Sequence, residues 1–169
     1  FTNCNYLTHP NNRWVVKDKK KKISLEFKKL MNDLRKETIE AKIFRKNNNE
    51  NNYILISRSN SLRRKLLNED VLFNRLKKYG FKKIFFEKLS YEKQVEISKN
   101  CKIMIGYHGA GLKNLIFMKK NTHVIEIYNK YYEHELFKLF SICQNIKYKK
   151  FKCDVSKKNL DGICNIEDI

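Results

Sequence analysis

Three of the five glycines of the chain stand within six residues, in Ile105-Gly106-Tyr107-His108-Gly109-Ala110-Gly111-Leu112. An apolar run stops there and amphipathic sequence follows, the pattern of strand, tight loop and helix. Glycines let other groups approach the main chain closely, and the first amides of a helix lack partners within it, so a loop of this kind attracts an anion, most often phosphate. As a nucleotide motif, Gly109-Ala110-Gly111 is incomplete. Asn114 stands where G-x-G-x-x-G would place its third glycine, and no lysine followed by Ser or Thr is present as in a P-loop. The structural alternative is a turn needed only for packing.

Five side chains have suitable chemistry. Arg58, Arg63 and Arg64 follow an apolar run closely, and arginine can hold a phosphate through two parallel hydrogen bonds. Their alternative is a solvated basic turn. Glu126 lies between Ile125 and Ile127 in an otherwise apolar strand, costly unless it is paired or faces a site. An ion pair with a lysine competes there with a role as acceptor for ribose hydroxyls. His108 is the titrating residue that the sequence sets beside the anion loop, able to relay a proton or donate to a leaving phosphate oxygen. No paired carboxylates, H-E-x-x-H or G-x-S-x-G accompany them.

The elements that must position these groups alternate. Tyr53–Ser57, Lys83–Glu87, Lys102–Gly106, His123–Tyr128 and Ile146–Cys153 read as strands. Helices are expected from Ser24 to about Ala41, over Asn68–Tyr79 with Val71, Leu72, Leu76 and Tyr79 inward and Gly80 as the stop, over Tyr91–Asn100 capped by Ser90, over Leu112–Met118, and over Glu133–Cys143. Alternation of this kind implies an α/β fold, a parallel sheet with helices on both faces, whose ligands bind beyond the carboxyl ends of the strands. Arg58, Glu87 and His108–Gly111 fall there, and Glu126 near the end of its strand. Residues 1–52 read as a basic connector, a helix and an asparagine-rich loop, 53–153 as the nucleotide-binding domain, and 154–169 as a patternless tail.

The 169 residues allow one domain with a helical appendage, and the net charge of +19 suits a polyanionic partner. Lysines are spread through almost every segment and no nucleic-acid module is recognisable, which speaks against sequence-specific nucleic-acid binding. Five cysteines without C-x-x-C spacing indicate no zinc site and no disulfide framework, although one bridge between Cys153 and Cys164 is compatible with an oxidising compartment. No apolar run approaches membrane-spanning length.

Ser57-Arg58-Ser59, Arg64-Lys65-Leu66-Leu67-Asn68, Leu89-Ser90-Tyr91-Glu92-Lys93-Gln94, the glycine loop, Leu115-Ile116-Phe117-Met118 and Val124-Ile125-Glu126-Ile127-Tyr128 together resemble the catalytic domain of the family 61 glycosyltransferases, in that family's order. The resemblance covers about Tyr53 to Phe151. It is greatest to the branch that attaches N-acetylglucosamine to EGF-like repeats, with plant xylose and arabinose transferases as further relatives. It implies the Rossmann-like C-terminal half of an inverting GT-B enzyme that uses a UDP-sugar as donor, without metal or other cofactor, and a protein or glycan hydroxyl as acceptor. On the matched motifs, Arg58 and Arg64 would neutralise the diphosphate and the amides of Gly109, Ala110 and Gly111 would cradle it. His108 would contact phosphate or sugar, Asn68 and Gln94 would support the site, and Glu126 would hold the nucleoside.

Lys119-Lys120 replaces the family's usual proline, no ER-retention tetrapeptide stands at Glu167-Asp168-Ile169, and Phe1–Asn52 is too short for the acceptor domain. The expectation is therefore a donor-binding half, weak or inactive until another segment or chain completes the cleft and supplies the general base. Its compartment would be the secretory lumen if it is like the eukaryotic relatives, and the cytoplasm if it is viral or microbial. A nucleotide-sugar-binding remnant without turnover and a basic nucleic-acid-binding α/β protein are the competing readings.

Overall fold

The computed structural model describes residues 25–40, 52–132, 134–155 and 159–169. The expected basic connector, the Ser24 cap, most of the asparagine loop, Cys4 and the start of the last helix at Glu133 lie outside the described residues.

Five parallel strands make up most of the sheet: β1 (Asn52–Ile56), β2 (Phe81–Ile84), β3 (Cys101–Tyr107), β4 (His123–Asn129) and β5 (Lys147–Val155). A short β6 (Gly162–Ile163) joins antiparallel, and the spatial order is β2-β1-β3-β4-β5-β6. The sheet is therefore mixed, not wholly parallel as expected. After β1 the chain moves to one side to make β2 and then returns to the other to make β3. In parallel α/β sheets such a reversal opens a crevice at the carboxyl ends of the two central strands.

Both faces of the sheet are buried, which is why its strands read as nearly continuous apolar runs. Ile54, Ile56, Met104 and Val124 face one core, closed by Met31 of α1 (Leu25–Glu40) and Phe137 and Phe140 of α4 (Leu136–Cys143). Leu55, Ile105 and Ile127 face the other, with Leu72 of α2 (Glu69–Lys77). α1 is fixed to the first core by the stacked rings of Phe27 and Phe140, 6.1 Å apart.

Several expected elements shift. β2 ends at Ile84, not Glu87. Gly80, at φ +83°, stops α2 and the strand starts at once with Phe81, while Phe86 turns into the core within a 3-10 turn that leaves Glu87 exposed. On α2 the inward stripe is Glu69, Leu72, Phe73 and Leu76, at helical spacing; Val71 and Tyr79 are 60% and 68% exposed, contrary to expectation. α3 (Tyr91–Lys99) starts as expected, with the Ser90 hydroxyl accepting from Lys93 N–H.

The segment after the glycine loop is a 3-10 helix, Ala110–Phe117, not an α-helix. Side chains three apart eclipse in that geometry, and Leu112, Leu115 and Met118 are all at most 1% exposed. Residues 159–169 are no patternless tail either: Cys164, Ile166 and Ile169 pack into the second core.

Candidate functional site

Side chains packed against the main chain after β3 explain Gly109 and Gly111. A Cβ on Gly109 would lie 2.1 Å from Arg58 Nη1, and one on Gly111 would lie 2.9 Å from Ile56 Cγ2. Gly109 is extended, at φ 173°, and neither residue lies in the left-handed region, so close approach, and not turn geometry, requires glycine here. The first i→i+3 bond of the 3-10 helix runs from Leu112 N–H to Gly109 O, at 3.1 Å. The amides of Ala110 and Gly111 precede it and have no partner within the helix.

Two arginines flank this loop. Arg58 follows β1 and donates from Nε to Arg64 O (3.0 Å) and from Nη2 to Arg63 O (3.4 Å). Its main-chain N–H donates to Glu69 Oε2 at 3.0 Å, and Ser57 Oγ donates to the other oxygen of that buried carboxylate. Burial, followed by the neighbouring Arg64 guanidinium, lowers the pKa of Arg58 from its usual value; Glu87, Tyr107 and Glu69 oppose the shift. Arg64 sits at φ +58° with its guanidinium 4.9 Å from the centre of the Tyr132 ring. Its buried Nε has no hydrogen-bond partner among the described residues. A buried donor of this kind costs free energy until an acceptor reaches it. Arg63, by contrast, has an exposed side chain.

Two cavities meet at Ala110. One, of about 430 Å3, is lined by Ile56, Ser57, Arg58, Phe86, Glu87, Gln94 and Gly111. The other, of about 340 Å3, is lined by Arg64, His108, Gly109, Lys113, Tyr132, His134 and Phe137. A ligand with an anionic centre and two uncharged ends would fit across the exposed Ala110, its charge between the arginines.

His108 is held from behind. Its Nδ1 bonds to Glu126 Oε1, and Tyr148 Oη donates to Glu126 Oε2. Glu126, expected to hold the nucleoside, is wholly buried behind His108 and is not among the residues lining either cavity. With Nδ1 engaged, Nε2 is the imidazole nitrogen left for a ligand. The rings of Tyr132, His134 and Phe137 surround His108 at 5.1, 5.8 and 5.0 Å between centroids.

The two expected supporting residues separate. Gln94 lines the first cavity, but its Nε2 donates to Phe86 O and Leu89 O (3.0 and 3.1 Å) and its Oε1 accepts from Asn114 (3.1 Å), so it braces the loop. Asn68 lies away from both cavities and bonds the main chain of Cys164 on each side, at 2.8 and 3.2 Å. Tyr132, His134, Tyr148 and Glu69 are not among the residues expected from sequence, and Asn114 figures there only in place of the motif's third glycine. Tyr132 and His134 follow β4, where the rule of the strand ends could have found them; Tyr148 and Glu69 carry no such signal.

The family described as Glycosyltransferase 61 matches this chain over residues 7–125. The chain belongs to that family. The matched span includes both arginines and the whole glycine loop of this family 61 chain. Among curated proteins, the EGF domain-specific O-linked N-acetylglucosamine transferase of Drosophila melanogaster is 39% identical over 69 residues, covering 39% of this chain and 13% of that protein. The proteins of the same name from Gallus gallus and Mus musculus are 37% and 38% identical over 71 residues, covering 39% of this chain and 13% and 14% of theirs. The family 61 chain thus aligns with about an eighth of the length of these relatives.

Proposed function

We propose that this glycosyltransferase 61 chain is the donor-binding half of a GT-B enzyme that transfers a sugar from a UDP-sugar to a protein or glycan hydroxyl with inversion. The observation that carries the reading is the pair Arg58 and Arg64 beside the first residues of the 3-10 helix, Ala110 and Gly111, with a buried Arg64 Nε that has no partner among the described residues and a cavity on each side of Ala110. The diphosphate lies over Ala110, and nucleoside and sugar enter the two cavities. N-acetylglucosamine is the favoured sugar, from the names of the relatives; a pentose is the alternative.

In the transfer, the acceptor oxygen attacks the anomeric carbon from the face opposite the diphosphate. The bond from that carbon to the phosphate oxygen breaks, and UDP leaves with the electron pair. Positive charge and oriented donors at the departing phosphates lower the barrier, because they stabilise charge that develops only as the bond breaks. Arg58, Arg64 and the loop amides supply this without a metal ion. His108 Nε2 donates to phosphate or sugar. The base that takes the acceptor proton comes from outside the described residues, with the acceptor-binding half.

Calorimetric titration with UDP, UDP-N-acetylglucosamine and UDP-xylose in EDTA tests the reading, beside ATP and duplex DNA. Micromolar binding of uridine nucleotides is expected. A folded protein that binds none of them removes the donor assignment. Binding without transfer, once an acceptor half is supplied, identifies the chain as a non-catalytic nucleotide-sugar-binding remnant.

A further inference from the structure

The arginine loop is supported by a segment nearly a hundred residues away. Arg64 N–H donates to Asn159 O (2.9 Å), Lys65 N–H to Asp161 Oδ1 (2.7 Å), Gly162 N–H to Lys65 O (2.9 Å) and Leu67 N–H to Gly162 O (2.7 Å). Tyr107 Oη adds a bond to Leu160 O at 2.7 Å. Residues 159–164 are thus a strap across the base of the loop that presents Arg58 and Arg64.

The strap places two cysteines at opposed strand positions, with the Cys153 thiol donating to Tyr128 O (3.2 Å) and the Cys164 thiol to Asn68 Oδ1 (3.7 Å). β5 and β6 pair Asp154 with Ile163 and Val155 with Gly162, and one further step of this antiparallel register sets Cys153 opposite Cys164. Gly162 uses both its main-chain groups on Lys65 and Leu67, and Cys164 uses both of its own on Asn68. Positions 162 and 164 are therefore the non-hydrogen-bonded members of the ladder. Directly opposed residues of that type have Cα atoms ~4.5 Å apart and side chains on one face, within the ~4.4–6.8 Å range of disulfides. Both thiols are buried in the same core and are free in this structure, and the Cys153 sulfur points toward Gly162, where a Cβ would meet it at 2.3 Å.

We propose that Cys153 and Cys164 form a cross-strand disulfide that fastens the strap under the arginine loop. The oxidant is a small-molecule disulfide such as oxidised glutathione, or a protein disulfide of the oxidoreductase class. One cysteine thiolate attacks the disulfide and expels a thiolate, giving a mixed disulfide. The second cysteine then displaces the remaining glutathione, so two protein thiols lose their hydrogens as one disulfide is reduced to two thiols. Burial makes the docked thiols poor nucleophiles, so exchange takes place as the strap docks.

The test is to refold the protein from the reduced, denatured state in a glutathione redox buffer, block free thiols, and map peptides without reduction. The expected product is a Cys153–Cys164 peptide pair two hydrogens lighter than its reduced form. A melting temperature roughly 5–10 °C above that of the dithiothreitol-treated protein should accompany it. C164A should fold with a melting temperature that no longer responds to redox state. Recovery of both cysteines as alkylated or glutathionylated monomers, or cross-linked elsewhere, would overturn the proposal. The outcome is independent of donor binding, so it stands or falls separately from the glycosyltransferase reading.

Discussion

The Arg58 guanidinium occupies the space where a side chain on Gly109 would begin, with Nη1 only 2.1 Å from the position of a Cβ. Loop and arginine are thus one unit, and neither can be altered without moving the other.

This relationship separates two neighbouring substitutions. G109A meets the far end of a flexible side chain, which can swing away, so the melting temperature should change by no more than a few degrees while UDP affinity falls ~10-fold or more, as after R58A. G111A meets the branched side chain of Ile56, anchored in β1, and should cost about 1–3 kcal/mol of stability. Equal effects of both variants on affinity and unfolding would show that Gly109 is only a packing residue.

Glu126 should act through His108. E126Q keeps the shape but changes the acceptor that holds Nδ1, and kcat is expected to fall ~10–100-fold in a reconstituted transferase with donor KM nearly unchanged. E126D should restore part of the loss. A large KM effect with normal kcat would place Glu126 among the donor contacts instead.

Tyr132 lies under the Arg64 guanidinium at 4.9 Å. Y132A should weaken UDP binding by ~3–30-fold, the range of a partly desolvated cation–aromatic contact, and Y132F should bind like the parent. Titration calorimetry of the three proteins decides this; loss of affinity in Y132F would point to the hydroxyl.

Burial raises the thiol pKa of Cys101, Cys143, Cys153 and Cys164 above the ordinary 9.0, Cys101 to about 12, and pushes the Tyr107 phenol upward as well. In each case the folded state holds the proton more tightly. The associated stability is complete below the unfolded-state value and is lost as pH climbs toward the folded one. The reduced protein should therefore lose denaturant resistance steadily above about pH 9. At pH 8, iodoacetamide should leave these four cysteines unmodified until the chain unfolds.

Much of the fold, and the position of Arg58 and the glycine loop just after strands, was legible because the signals are local. Gly80, Ser90 and the apolar runs mark turns, caps and strands within a few residues, and Arg58 and His108–Gly111 follow strands whose ends define the crevice. Other features depend on partners distant in sequence. Glu126 looked like a site acid because the strand around it is apolar; its actual companions, His108 and Tyr148, lie 18 and 22 residues away. Asn68 matched a motif, yet serves Cys164, 96 residues distant. The 3-10 helix is indistinguishable from an α-helix in the sequence because leucines three apart satisfy either period over so short a span.

The bond from Lys65 to Asp161 closes a separation of 96 residues. During synthesis at ~5–20 residues per second, the arginine loop leaves the ribosome roughly 5–20 s before the segment that supports it. Over that interval the nascent chain carries its cationic loop without the segment that braces it.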